Sequence, residues 1–200
     1  MSQQFWDSRY QQNVLAYGDL PNDFLVKSAK YLPPGFRILA AGDGEGRNGI
    51  WLTEKQLEVW AVDYSLIGLK KAKYWADSQN RQIRFICTDL SNWKWPNDFF
   101  GAIVVIFVHF PPGERKRVHH SMIASLKHGG MIILQCFHKD QLKFDSGGPK
   151  AEEMLYTLEM LHHDFQGMKF VEAEECEIDL REGIFHAGKA AVVNAIIQKS

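Results

Sequence analysis

The chain has 200 residues, 46% of them hydrophobic and 24% charged, with a formal net charge of -1. That length suits one domain, or one domain with a small extension, and buries a core without disulfide staples. The near-neutral balance argues against a nucleic-acid or acidic-lipid partner, and the longest apolar run, 102–108, is far short of the ~20 residues that span a bilayer.

The opening stretch "MSQQFWDSRYQQ" has no charged-then-apolar leader layout, so a cytoplasmic location is expected. Residues 1–35 are polar and aromatic and end at the stop signal Pro33-Pro34-Gly35. They read as a cap segment with a short helix over 23–31, ahead of a main domain over 36–200. Phe5, Trp6, Tyr10 and Tyr17 in this segment either pack into the core or form a lid that excludes water.

From residue 36 strands and helices alternate. Strands are predicted over 36–41, 57–63, 82–90, 101–108 and 129–137, the last after a Gly-Gly break. Helices are predicted over 47–55, 65–79, 112–127 and 151–165; the third has proline where a helix tolerates it. Two further strands, 169–180 and 189–199, are separated by a link too short for a crossover helix, so they form a hairpin. The expected fold is α/β and Rossmann-like: a seven-stranded, mostly parallel sheet with helices on both faces and a C-terminal antiparallel hairpin. Its ligand belongs at the carboxyl ends of the strands, at the switch point beside the first strand.

Three features lie off that path. Cys87, Cys136 and Cys176 sit in strand-like contexts without a C-x-x-C pair and read as small buried thiols. The run Arg115-Lys116-Arg117 reads as a solvated helix face. His119-His120 and His162-His163 are adjacent pairs, which point about 100° apart on a helix and do not chelate one metal easily.

The stretch "LAAGDGEGRNG" follows the first strand. Gly44 to Gly49 fits G-x-G-x-x-G, the dinucleotide pattern. The strand ends near Ala41, however, so Gly42 opens the turn and the operative register is Gly42-x-Gly44-x-Gly46. Asp43 and Glu45 lie inside the loop and would repel a pyrophosphate. A ligand carrying a carboxylate and cationic groups together suits the loop better, and S-adenosylmethionine is such a ligand. Asp63 ends the second strand, where a carboxylate accepts ribose hydroxyls. Asp89-Leu90 ends the third, in reach of an adenine amino group. No Tyr-x-x-x-Lys occurs, and no second domain is available to hold a hydride acceptor.

With these parts in place the chain resembles the class I S-adenosylmethionine-dependent methyltransferases, and more narrowly the bacterial tellurite-resistance (TehB-type) and thiopurine-type small-molecule enzymes. The blocks "FWDSRY", "GDGEGRN", "AVDYS", "TDL", "IFVHFPPGER", "LKHGGMIIL", "GGPK" and "EGIFHAGKAAVV" carry the resemblance in order along nearly the whole chain. It implies an enzyme with S-adenosylmethionine as cofactor. Donor contacts fall on Gly42, Gly44, Gly46, Asp63, Asp89 and Leu90, with Asp43, Glu45, Arg47, Asn48, Tyr64 and Phe107 beside them and Tyr17 covering the donor. Class I enzymes usually carry an acid where this chain has Ala40; Asp43 or Glu45 is expected to receive the donor's ammonium instead.

The fourth strand ends in "FVHFPP" rather than the Asn/Asp-Pro-Pro-aromatic signature of enzymes that methylate exocyclic amines. His109 falls where the methyl group belongs, as a general base or an acceptor-binding group. His186, between the last two strands, is expected to reach the same pocket, with Arg181 and Glu182 as further candidates. A soft acceptor, such as a thiol or a selenium or tellurium oxyanion, needs little base catalysis because proximity carries the rate. The small cap points to a small-molecule acceptor. The other readings are a donor-binding regulatory protein without turnover, an NAD-dependent oxidoreductase, and a methyltransferase for RNA or protein. The sequence sets no oligomeric state.

Overall fold

The computed structural model describes residues 2–200; Met1, the first residue of the expected cap segment, lies outside the described residues. Helix α1 (Gln3–Tyr10) and helix α2 (Asp23–Ser28) precede the sheet. Then follow β1 (Arg37–Ala41), α3 (Arg47–Thr53), β2 (Glu58–Asp63), α4 (Leu66–Ser78), β3 (Ile83–Cys87) and β4 (Phe100–Ile106). The chain ends with α5 (Pro112–Ser125), β5 (Leu126–Phe137), α6 (Leu158–Asp164), β6 (Lys169–Glu182) and β7 (His186–Gln198). The helix starts are chemical. Asn22 Oδ1 accepts the Leu25 N–H at 3.0 Å, Ser65 Oγ accepts the Gly68 N–H at 3.0 Å, and Pro112 opens α5 where no N–H is needed.

The strands form one seven-stranded sheet in the order β3-β2-β1-β4-β5-β7-β6. β1 to β5 are mutually parallel, and β7 runs antiparallel to both of its neighbours. Alternate residues of β4 face opposite layers. Ile103 and Val105 pack with Val118, Met122, Leu161 and Phe165 on one side. Ala102, Val104 and Ile106 pack with Leu25 and Leu52 on the other. Covered on both faces, β4 is buried along its whole length, which is why it reads as an unbroken apolar run. The switch point falls between β1 and β4, and the crevice above their carboxyl ends is the site.

Four local expectations are corrected. The Gly129-Gly130 break lies inside β5, because the main chain there bulges and hooks the chain end: Gly129 N–H donates to the Lys199 carbonyl and Lys199 N–H to the Gly130 carbonyl, both at 2.9 Å. The helix expected from 151 begins only at Leu158. Leu155 and Tyr156 are fully buried, and Tyr156 N–H bonds the Phe137 carbonyl at 3.0 Å, so burial holds them extended. Of the three thiols only Cys136 is buried; Cys87 is exposed and Cys176 half-buried. Arg115 does not lie on a solvated face: its Nε donates to buried Asp164 at 2.7 Å, while Lys116 stays exposed. Buried His119 Nδ1 lies 2.9 Å from the same carboxylate. Among the described residues no helix is long and apolar enough to cross a membrane.

Candidate active site

A cavity of about 710 Å³ opens over the carboxyl ends of β1, β2 and β4. That is the scale of small-molecule sites, ~300–1,000 Å³. Every residue expected to form the donor or acceptor site borders this cavity except Gly46, Arg181 and Glu182.

The floor is the turn after β1. Gly42 (φ 66°) hands its N–H to the Val62 carbonyl at 2.7 Å, and a side chain at 42 would run into Val108. Gly44 (φ 56°) approaches Tyr10 so closely that a Cβ would lie 2.5 Å from the phenol oxygen. Gly46 has a different task. It caps α3 and faces Ala72 of α4, so it brings two helices together and does not touch the cavity. β1 ends at Ala41, so Gly42 opens the turn. At the end of β2, Asp63 Oδ2 accepts the Gly44 N–H at 2.8 Å and Oδ1 the Ser65 N–H at 2.7 Å. Burial pushes its pKa up to about 6, against the pull of those N–H groups. Asp89 is fixed the same way, by Ser91 N–H and Asn92 Nδ2, both at 2.8 Å.

The other polar loop residues turn toward protein. Asp43 Oδ1 accepts the Gly49 N–H at 3.0 Å, and its Oδ2 is inaccessible and unpartnered. Burial raises its pKa to about 8. Glu45 accepts the Ala16 N–H at 2.7 Å and pairs with Lys71 at 2.5 Å. Neither acid presents a free oxygen to the cavity, so the structure does not support either as the receiver of an ammonium. Asn48 accepts the Asn22 N–H at 2.9 Å, and Arg47 pairs with Glu182 at 2.6 Å.

These bonds strap the N-terminal segment over the loop. Asp7 accepts from Ser65 Oγ at 2.5 Å, docking α1 on the start of α4. Lys71 Nζ donates to the Gln12 carbonyl at 2.7 Å and the Val14 carbonyl at 3.3 Å. Tyr10 is buried against the loop, and burial raises its phenol pKa well above the ordinary value. Phe5, Trp6, Arg9 and Tyr10 all border the cavity, the i, i+1, i+4, i+5 spacing of one helical face. That spacing within "FWDSRY" was the signal for α1, and the sequence reading missed the helix and its Arg9. Arg9 lies 3.8 Å above the Phe185 ring.

At the far end the walls are aromatic. Phe107 closes β4 with φ 56°, a conformation that costs a non-glycine residue roughly 1–3 kcal/mol. It stacks on Phe137 at 4.5 Å and meets His186 edge-on at 4.7 Å. The two histidines differ. His109 Nδ1 bonds the Met154 carbonyl at 2.7 Å, and its Nε2 accepts the Phe137 N–H at 3.1 Å. Both nitrogens are spent on main chain, and burial lowers its pKa to about 4. His109 braces two strand-end loops and has no lone pair free for an acceptor's proton. His186 Nδ1 faces Glu182 at 3.4 Å, and its other nitrogen is unbonded among the described residues. Glu182 also accepts from Asn22 at 2.8 Å. Burial would raise the Glu182 pKa, but the His186 hydrogen bond and the Arg47 charge hold it at about 2.

A family model for the methyltransferase domain matches residues 38–130. No curated protein matches the sequence. Among solved structures, TehB from Haemophilus influenzae is 16% identical, with a TM-score of 0.74 over 99% of this chain and 67% of that one. A protein from work on the conversion of a disulfide bond into a thioacetal group during echinomycin biosynthesis is 13% identical, with a TM-score of 0.79 over 99% and 91%. The [4+2]-cyclase SpnF is 15% identical, with a TM-score of 0.75 over 100% and 96%. The chain has the fold of the class I S-adenosylmethionine-dependent methyltransferases.

Proposed function

We propose that the protein binds S-adenosylmethionine and catalyses transfer of its methyl group to a small organic acceptor. The observation that carries this reading is the side-chain-free turn at Gly42 and Gly44, clamped by Asp63, on the floor of a cavity with aromatic walls. When bound, the donor supplies an electrophilic methyl group on a sulfonium. The residues fit it part by part. The loop main chain at Gly42 and Gly44 takes the methionine portion, Asp63 the ribose hydroxyls, and Asp89 with Leu90 the adenine. Tyr64 borders the ribose end. Tyr10 and Tyr17 cover the donor and exclude water. Phe107 lies beside the reacting centre.

A thiol on an organic body fits the aromatic far end better than a selenium or tellurium oxyanion, whose hydration the walls do not replace. Similarity to a structure from sulfur chemistry supports the same choice. A second reading is favoured by one observation: a protein described as a [4+2]-cyclase shares this fold, so a donor-binding protein without methyl transfer is its form here.

The first test is thermal unfolding with S-adenosylmethionine, S-adenosylhomocysteine or NAD. Ligand at 100 times its Kd adds about 2.7 kcal/mol, which raises Tm by roughly 5–11 °C at this chain length. Stabilisation by the two sulfur nucleotides and not by NAD is expected. Stabilisation by NAD alone would overturn the reading. S-adenosylhomocysteine release with organic thiols then separates an enzyme from a binding protein.

A further inference from the structure

Glu182 closes β6, His186 opens β7, and the two are directly paired across the hairpin. The pairing brings Glu182 Oε2 to 3.4 Å from His186 Nδ1. A carboxylate only accepts, so Nδ1 carries the hydrogen and Nε2 keeps its lone pair. The ring is wedged by Tyr17 at 4.5 Å, Phe107 at 4.7 Å and Phe137 at 5.3 Å. Glu182 is held in turn by Arg47 at 2.6 Å and Asn22 at 2.8 Å. One edge of the ring is kept open. Gly147 (φ 126°) passes beside it, and a Cβ at 147 would lie 2.6 Å from Cδ2 and 3.2 Å from Nε2. The geometry leaves one unshared pair of electrons pointing from a fixed imidazole into the acceptor end.

We infer that Glu182 and His186 form a base dyad: Glu182 positions the ring, His186 Nε2 takes a proton from the acceptor, and the acceptor is therefore a protic nucleophile, a phenol, enol or thiol. The inference rests on the methyl-transfer reading. The step balances. The acceptor's X–H proton goes to Nε2, the X lone pair forms the new bond to carbon, and the pair from the broken carbon–sulfur bond stays on sulfur as a neutral thioether. The imidazolium then returns its proton to water. The charged and titratable groups around the ring are Glu182 from β6, Arg47 from α3, Arg9 from α1, Tyr17 from the N-terminal segment, and His109 after β4. Burial lowers the His186 pKa, Glu182 opposes this, and Arg47 and Arg9 add to it, so the ring is neutral near pH 7.

The decisive measurement is ring-nitrogen NMR on ¹⁵N-histidine protein, with His186→Gln for assignment. His186 is expected as the Nδ1–H tautomer at pH 7, and Glu182→Gln is expected to move its titration down by about 1 unit or more. An Nε2–H tautomer, or a titration unmoved by Glu182→Gln, would overturn the dyad even where no acceptor turns over. The kinetic arm uses p-cresol, un-ionised at pH 7.5, and 4-nitrothiophenol, already a thiolate. H186Q should lose about 10²–10⁴-fold in kcat with the phenol and under threefold with the thiolate. Equal losses with both would also overturn it. S-adenosylhomocysteine affinity separates the two ideas. No binding to wild type sinks the methyl-transfer reading, whereas equal binding by wild type and H186Q with an Nε2–H ring sinks the dyad alone.

Discussion

Gly44→Ala tests whether α1 and the glycine turn are one structural unit. The backbone at 44 has φ 56°, where a side chain costs roughly 1–2 kcal/mol. The new Cβ would also lie 2.5 Å from the Tyr10 oxygen and 3.0 Å from its ring carbon Cζ. Tyr10 is 5% exposed and is backed by Gly68, whose own Cβ would lie 2.9 Å from it, so the ring has little room to retreat. Overpacking of this kind costs about 1–3 kcal/mol. The sum is about 2–5 kcal/mol, or a Tm loss of about 4–20 °C for a chain of this length. Tyr10→Phe separates the two contributions. Its hydroxyl has no side-chain hydrogen bond, so Y10F alone should cost under about 1 kcal/mol. In the G44A background it relieves the oxygen contact and leaves the backbone strain, so the double variant should recover about 1 kcal/mol. Urea unfolding of the four proteins gives the coupling. Strict additivity, or an unchanged midpoint for G44A, would refute the claim that Tyr10 is seated on the loop.

Asp164→Ala leaves Arg115 and buried His119 without their carboxylate and should cost about 3–5 kcal/mol; a loss under 1 kcal/mol would mean the cluster is replaceable by water. The pH dependence has two opposed parts. Glu182 is held at about 2, below its ordinary value, so its contribution is present above pH ~4.5 and is lost as pH falls toward 2. E182Q should therefore lose less stability than wild type between pH 6 and 3. Asp43 is raised to about 8, so its contribution is present at low pH and is lost as pH rises from ~4 through 8. D43N keeps the Gly49 acceptor and should hold its Tm from pH 6 to 9 better than wild type; parallel Tm profiles would refute the burial argument. Lys71→Met should speed hydrogen exchange at the Ala16 amide and proteolysis over 11–17 by about tenfold, the effect of losing about 1.4 kcal/mol locally; unchanged exchange would show that the segment is held elsewhere.

The middle of the sheet was legible because its inner strands are buried on both faces. β4 and the inner half of β5 read as apolar runs, and the hairpin followed from a link too short to cross over. The glycine turn at the cavity floor was legible because dense glycine after a strand has few other uses. What did not read was the direction of side chains. Asp43 and Glu45 look like ligand acids in sequence, and only three dimensions turn one to Gly49 and the other to Lys71. His109 and His186 look alike in sequence, and what separates them is whether Met154 and Phe137 take the second nitrogen. Leu155 and Tyr156 fit a helical pattern, yet burial of both drew the chain out straight.

The helix after the glycine turn, the N-terminal segment and the C-terminal hairpin meet at one carboxylate. Glu182 receives Arg47 from the helix after the glycine turn, Asn22 from the N-terminal segment and His186 from the hairpin. Moving any one of these changes what the other two can do, because a carboxylate this buried cannot exchange a lost partner for water cheaply. The same fold carries a [4+2]-cyclase, so the fold alone does not choose the reaction. That choice lies in the few side chains beyond β4, and here they arrange one braced histidine beside one free one. If the hairpin and the N-terminal segment close on the acceptor together, removing the Asn22 amide with Asn22→Ala should raise the acceptor KM and shift the His186 titration in the same variant. A changed KM with an unmoved titration would separate the lid from the base and refute the coupling.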